Sequence, residues 1–173
     1  MKALNRVNKT IATIISWIAG ILLAVMVFVT FWQVIVRLLR SSLPWSEEVA
    51  RYMQVYLTFL GVSVGVRLEE LVAVEAVYEK TPKIVQKVIN IFVYLVIGIV
   101  SLLLIRYGWS IAKVTMMQSA PVTGIKMGYV YGAILVGSLL IFFHNAVNAI
   151  NYLTGWSDPD EKQAPVNRIE AQG

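Results

Sequence analysis

The sequence predicts an all-α integral membrane protein, with four transmembrane helices and an in-plane amphipathic helix between helices 2 and 3. Only 14% of its 173 residues are charged, whereas a soluble domain carries about 25% charge. Four apolar segments hold almost none of these charges, and about 20 apolar residues are enough to cross a bilayer. A segment of mixed charged and apolar residues lies between the second and the third of them.

The first span is predicted over residues 10–36, which are uncharged and follow a basic N-terminal stretch. It is longer than the roughly 7–15 apolar residues of a signal peptide, and no small-residue cleavage site follows it. We therefore predict an uncleaved helix that tilts to fit the bilayer. Two serines, a leucine and a proline at positions 41–44 then predict a break.

The second span is predicted over residues 47–66. Ser46 is a candidate N-cap, and Glu47 and Glu48 suit the positive end of a helix. The uncharged part, residues 52–66, is short for a span. The helix therefore has to begin near Glu47, with its charged first turn at the interface or against protein.

Residues 67–82 combine apolar side chains with charged ones and end at a proline. This pattern is typical of an amphipathic helix that lies on the membrane; the alternative is that helix 2 continues as a solvated extension. The third and fourth spans are predicted over residues 84–108 and 127–152. All four spans belong to one membrane domain, residues 1–155, and residues 156–173 are predicted to form a polar, disordered cytoplasmic tail.

The basic residues predict that both termini lie inside the cell. With the N-terminus inside, nine of the 15 Lys and Arg residues fall in inner segments, as the positive-inside rule favours. Residues near the predicted helix ends that are expected to meet lipid headgroups are Arg37, Arg40, Lys83, Lys87 and Trp109. Membrane lipids are thus expected partners. Nucleic acid is not, because the net charge of +5 is modest.

Composition argues against an enzyme and against a bound cofactor or metal. The chain has no Cys, which leaves no thiolate site and no redox pair. His144 is the only histidine, so paired axial histidines for haem are missing. We predict instead that His144 is buried between helices and forms hydrogen bonds across them. The apolar cores of helices 1, 3 and 4 also lack the acidic residue that a proton-coupled exporter would carry.

Helix 2 has the most informative pattern. Polar and small residues recur along it at spacings of three and four, so they share one helix face. This polar stripe consists of Glu47, Arg51, Gln54, Thr58, Gly61 and Gly65. Lipid cannot satisfy Gln54, and the two glycines permit a close backbone approach. The stripe is therefore expected to face protein, which is either another helix of the same bundle or another subunit.

Three segments resemble the small membrane subunit, the Q-type subunit, of tripartite ATP-independent periplasmic (TRAP) transporters. The first is Trp45-Ser46-Glu47-Glu48 with Arg51, continuing to Phe59-Leu60-Gly61. The second is Val74-Glu75 through Thr81-Pro82, and the third is Gln118-Ser119-Ala120-Pro121 through Tyr129, Tyr131 and Gly132. The resemblance covers roughly residues 10–155. This chain has Leu71 or Val72 where the family often has His, and Glu75 where it often has Asp, so no role of that His is carried over.

The resemblance implies a division of labour. A periplasmic binding protein captures an organic acid, such as sialic acid or a C4-dicarboxylate, and a large membrane subunit moves it with sodium ions. The small subunit belongs to the fixed scaffold in the bacterial inner membrane. Trp45 and Glu48 then join the polar stripe as candidate interface residues. The alternative is a self-contained four-helix membrane protein, either a small exporter or a bundle that binds a lipid or a quinone.

Overall fold

The computed structural model describes residues 2–41, 43–68 and 83–154. Most of this part of the chain forms four helices, namely α1 (Lys2–Leu38), α2 (Pro44–Leu68), α3 (Lys83–Thr115) and α4 (Met127–Thr154). All four are long and apolar enough to cross a membrane, which confirms the predicted all-α membrane fold. The predicted in-plane helix falls mostly on residues 69–82, and the predicted tail on residues 156–173; both lie outside the described residues.

The helices lie side by side in the order α1, α2, α4, α3, because α4 packs along both α2 and α3 and α2 packs along α1. The buried residues of α4 consequently extend from Gly128 to Asn148. Those of α1 are confined to its N-terminal part, from Asn5 to Ile15. The rest of α1 has large apolar side chains that no other described helix covers; Trp17, for example, is 72% exposed.

Glycines bring α4 close to its neighbours. A Cβ added at Gly128 would lie 2.6 Å from the carbonyl oxygen of Ala112 on α3. A Cβ added at Gly137 would overlap Phe59 of α2, and its distance to Phe59 Cγ would be 3.1 Å. Small residues at these positions allow the close backbone approach that holds membrane helices together in the absence of a hydrophobic driving force.

A Schellman motif ends α1. The N–H of Ser41 donates to the carbonyl oxygen of Val36 at 3.2 Å, and the N–H of Arg40 donates to that of Arg37 at 3.0 Å. Arg40 itself has a φ of 58°, the left-handed conformation that this motif requires and that glycine usually supplies. Because an arginine occupies it, the sequence showed only a break at 41–44 and not the motif that makes it.

The start of α2 corrects one prediction. α2 begins at Pro44, and proline is favoured at a first helical position because the N–H it lacks would have no partner there. Ser46 therefore lies inside the first turn and is not the N-cap. Its buried hydroxyl donates to the carbonyl oxygen of Leu43 at 2.7 Å.

Backbone hydrogen bonds fold the loop between α3 and α4, residues 116–126. The N–H of Ala120 donates to the carbonyl oxygen of Ile125 at 2.8 Å, and the N–H of Gly124 donates to that of Ala120 at 3.1 Å. Gly124 has a φ of 69°, which a glycine adopts without steric cost. The loop is thus folded back on itself beside the start of α2.

Candidate subunit interface

Most of the polar stripe lies on a face of α2 that no described helix covers. The exposed members are Glu47, Arg51, Gln54, Thr58 and Gly61. Gly65, nearer the end of α2, is half-buried. The opposite face of α2 packs into the row of helices through Leu60, Ser63 and Val66, which are buried. The helical spacing therefore grouped the stripe correctly, and the structure brings its members together along one outward surface.

Within the stripe, neighbouring residues satisfy some of their polar groups. The guanidinium of Arg51 forms an ion pair with the carboxylate of Glu47 one turn earlier. The hydroxyl of Thr58 donates to the backbone carbonyl oxygen of Gln54 at 2.8 Å. The side-chain amide of Gln54 is exposed and forms no hydrogen bond with any described residue. It remains available to a group outside the chain, and at this depth lipid tails offer no such group.

Gly61 bears on the two alternatives that the sequence left open for the stripe. Packing inside the bundle would require another helix close to Gly61. No atom lies within 4 Å of a Cβ added there. The close contact that α2 does make within the chain is at Phe59, against Gly137 of α4. The space beside Gly61 is therefore open to a partner.

Glu48 differs from the stripe because it contacts the chain's own α3–α4 loop. Its carboxylate accepts hydrogen bonds from the N–H of Thr123 at 2.9 Å, from the hydroxyl of Thr123 at 2.8 Å and from the N–H of Val122 at 3.2 Å. About two turns later, the hydroxyl of Tyr56 donates to the carbonyl oxygen of Tyr129 at 2.7 Å. Glu48 thus connects the first turn of α2 to the α3–α4 loop of the same chain, whereas Glu47 pairs with Arg51 on the exposed stripe.

The other candidate residues lie at helix ends or on outward surfaces. Exposed positions near helix ends are occupied by Arg37, Arg40, Trp45 and Lys87. Trp109 is 64% exposed but lies inside α3, which continues to Thr115. Lys83 is the first residue of α3, and its side chain is outside the described part of the structure.

Sequence reasoning missed part of a buried polar cluster that lies at the end of the helices opposite to the α3–α4 loop. This Asn–His cluster consists of the buried Asn5, Asn8, His144, Asn145 and Asn148 and the half-buried Asn151. Nδ1 of His144 forms a hydrogen bond with the Asn8 side-chain oxygen across helices, as predicted for this buried histidine. The amide of Asn148 donates to the carbonyl oxygens of Val66 and Arg67 on α2, at 2.9 and 3.1 Å.

The Asn–His cluster joins all four helices. The side chains of Asn5 and Asn151 exchange hydrogen bonds of 2.8 and 3.3 Å between α1 and α4. Asn145 donates to the carbonyl oxygen of Tyr94 on α3 at 2.9 Å. The contribution of α1 was not predicted, although two asparagines three residues apart, Asn5 and Asn8, share a helix face and are a recognisable signal.

Comparison with known proteins gives a consistent result. A family model described as the DctQ component of tripartite ATP-independent periplasmic transporters matches residues 26–155. The sialic acid TRAP transporter permease protein SiaT of Haemophilus influenzae strain 86-028NP is 29% identical over 159 residues, which are 91% of this chain and 25% of SiaT. The chain is therefore similar to about a quarter of the length of that relative.

Two shorter relatives come from Haemophilus influenzae strain Rd, and both are named as TRAP transporter small permease proteins. One is 26% identical over 69% of this chain and 75% of its own length. The other is 21% identical over 80% of this chain and 84% of its own length.

Proposed function

The chain belongs to the DctQ component family of tripartite ATP-independent periplasmic transporters, and on that premise we propose that it is the non-catalytic scaffold subunit of a sodium-driven importer of an organic acid. The observation that carries the proposal is the family match, which includes the whole of α2, α3 and α4 and the later part of α1. The proposed site is the bacterial inner membrane, with both termini in the cytoplasm, as the distribution of basic residues favours.

The proposed partners are a large membrane subunit and a periplasmic binding protein. The length of SiaT supports a larger membrane partner, because the stretch similar to this chain makes up only 25% of that protein. In that relative, the counterpart of this chain is covalently joined to further polypeptide. We propose that this chain associates with such a large membrane subunit, and that the transported acid is of the sialic acid or C4-dicarboxylate type, for which the name of SiaT is the support.

We further propose that the polar stripe is the seam with the large subunit. Its support is the combination of three properties on one outward face: a polar amide at Gln54, open space at Gly61, and an ion pair between Glu47 and Arg51. A lipid-facing helix gains nothing from such residues, whereas a second helix can meet the amide and approach the glycine closely.

Reconstitution tests the functional proposal. The chain alone in liposomes should transport nothing, and the chain together with a matched large subunit and binding protein should give uptake of the acid that needs an inward sodium gradient. A liposome with the large subunit and the binding protein but without this chain is the control, and we expect little uptake from it. Uptake or proton-driven export by this chain alone would refute the scaffold assignment and would favour a self-contained transporter.

A further inference from the structure

Arg106 is a charged residue in the interior of a membrane helix. It lies well inside α3, which continues to Thr115, and its side chain is exposed. Among the described residues, none forms an ion pair or hydrogen bond with its guanidinium. An arginine in a transmembrane segment is costly unless something pairs with it, and such residues commonly mark function.

The depth of Arg106 follows from α2, whose position in the bilayer is constrained on both sides. The uncharged part of α2, residues 52–66, lies between Arg51 and Arg67 and is roughly 22 Å long. A hydrocarbon core of about 30 Å therefore has its middle near Phe59, the central residue of that stretch. Phe59 in turn packs against Gly137 of α4, so the middle of the bilayer passes near Gly137.

Contacts between α3 and α4 place Arg106 at the same level. A Cβ added at Gly108 would lie 3.2 Å from Ile134 Cγ2 and 3.5 Å from the backbone nitrogen of Leu135. The two helices run antiparallel, so residues earlier in α3 lie beside residues later in α4. Arg106 precedes Gly108 by half a turn and is therefore level with Gly137, near the middle of the bilayer.

A different position of the bilayer would not avoid a buried charge. Moving the bilayer toward the Asn–His cluster would bring Arg106 to the boundary on the side of the α3–α4 loop, but it would place Arg67 and Lys9 deeper in the hydrocarbon. Arg67 ends the uncharged stretch of α2, and Lys9 follows Asn8, which contacts His144 in the cluster. The placement centred on Phe59 leaves Arg106 as the charged residue that lies deepest among the described residues.

Lipid headgroups are poorly placed to satisfy Arg106. The headgroup layer at the C-terminal end of α3 begins beyond Lys113, which itself lies roughly 10 Å further along the helix than Arg106. Side chains on a helix lean toward its N-terminus, so Arg106 leans away from that layer. Snorkelling serves long side chains near helix ends, and Arg106 is neither near the end nor directed toward it.

We infer that Arg106 pairs with a carboxylate of a different membrane chain, so that the outward face of α3 around it is an intersubunit seam. A second copy of this chain cannot supply the carboxylate. All ten of its acidic residues lie outside the apolar parts of its helices, which are residues 10–36, 52–66, 88–105 and 127–157. A transmembrane helix with an Asp or Glu near its middle fits the requirement. The inference rests on the proposed large membrane subunit as the chain that provides it.

The first test measures the large subunit retained by the affinity-tagged small subunit in mild detergent. Arg106→Leu leaves the partner carboxylate unpaired and should lower retention about tenfold or more, and Arg106→Lys should restore part of it. Lys113→Leu, on the same helix near its end, is the control and should retain the partner. Undiminished retention by Arg106→Leu overturns the inference, whereas failure of the unmodified chain to retain any large subunit overturns the proposed function instead.

Photo-crosslinking locates the contact directly. Leu102 and Val100 are similarly exposed, at 51% and 48%, but lie roughly 40° and 120° around α3 from Arg106. A p-benzoylphenylalanine at position 102 of the assembled complex should crosslink to the large subunit, and one at position 100 should do so far less. Crosslinks from position 102 to lipid alone would overturn the inference, because they would show that a bilayer and not a protein covers this face.

Discussion

Replacing Gly128 with alanine tests the close approach of α3 and α4 beside their loop. The added Cβ would lie 2.6 Å from the carbonyl oxygen of Ala112 and 2.6 Å from Met116 Cγ. Ordinary contact begins at 3.4 Å, so the helices would have to separate by about 0.8 Å at this point. The Met116 side chain can move aside, but the backbone carbonyl cannot. Overpacking of this kind typically costs about 1–3 kcal/mol.

Gly132→Ala is the matched control, because it lies one turn later on the same helix and no atom is within 4 Å of its added Cβ. The gain in helix propensity, about 1 kcal/mol in a helix interior, applies to Gly132 but less to Gly128, which is the second residue of α4. Each variant is therefore also compared with the unmodified chain: Gly132→Ala should be neutral or stabilising, whereas Gly128→Ala should be destabilising.

The measurement is the melting temperature of each purified variant in the same detergent. For a chain of this size, 1 kcal/mol corresponds to about 2–4 °C, so Gly128→Ala should melt several degrees below Gly132→Ala. If Gly128→Ala melted at or above the temperature of Gly132→Ala, the backbones of α3 and α4 would not approach each other here as closely as the structure shows.

Three further predictions concern the interface, the loop and the topology. Gly61→Leu should lower the amount of large subunit that a tagged small subunit retains, by the roughly 1–3 kcal/mol of overpacking, whereas Val62→Leu should not; a lower melting temperature of the chain with full retention would instead place the stripe inside its own bundle. Glu48→Ala should speed amide hydrogen exchange in the α3–α4 loop, and unchanged exchange would show that the carboxylate does not hold it. A cysteine at Ser42 should react with an impermeant reagent from the periplasm and one at Gln163 should not, with no native cysteine to interfere; the opposite pattern would reverse the proposed topology.

The helices themselves were predictable because lipid leaves little choice. A backbone in hydrocarbon must satisfy its own hydrogen bonds, so each long uncharged segment has to be helical. The observed helices contain the predicted spans and mostly run past them, as α3 does by continuing to Thr115. A charged residue shows that burying its side chain in lipid is costly, but it does not show where the helix ends. For this reason the predicted third span ends near Arg106, whereas α3 continues beyond it.

Local backbone detail was less predictable for a similar reason. Ser46 has the chemistry of an N-cap, but Pro44 starts the helix earlier and places the serine inside the first turn. Arg40 occupies the left-handed position that ends α1, where the usual signal is a glycine. The serine was thus present without forming the N-cap, and the left-handed end of α1 formed although no glycine was present.

By itself, the sequence determined which residues share a helix face, since the helical repeat of 3.6 residues is a property of the backbone. It could not determine what covers that face. Glu47 and Glu48 are adjacent and chemically alike, yet only Glu48 reaches the α3–α4 loop. Gly61 and Gly137 are both glycines in apolar helices, yet only Gly137 receives a neighbouring helix. The tertiary structure decided these differences, because the order of the helices in space depends on contacts between segments far apart in the chain, and helical periodicity carries no information about those contacts.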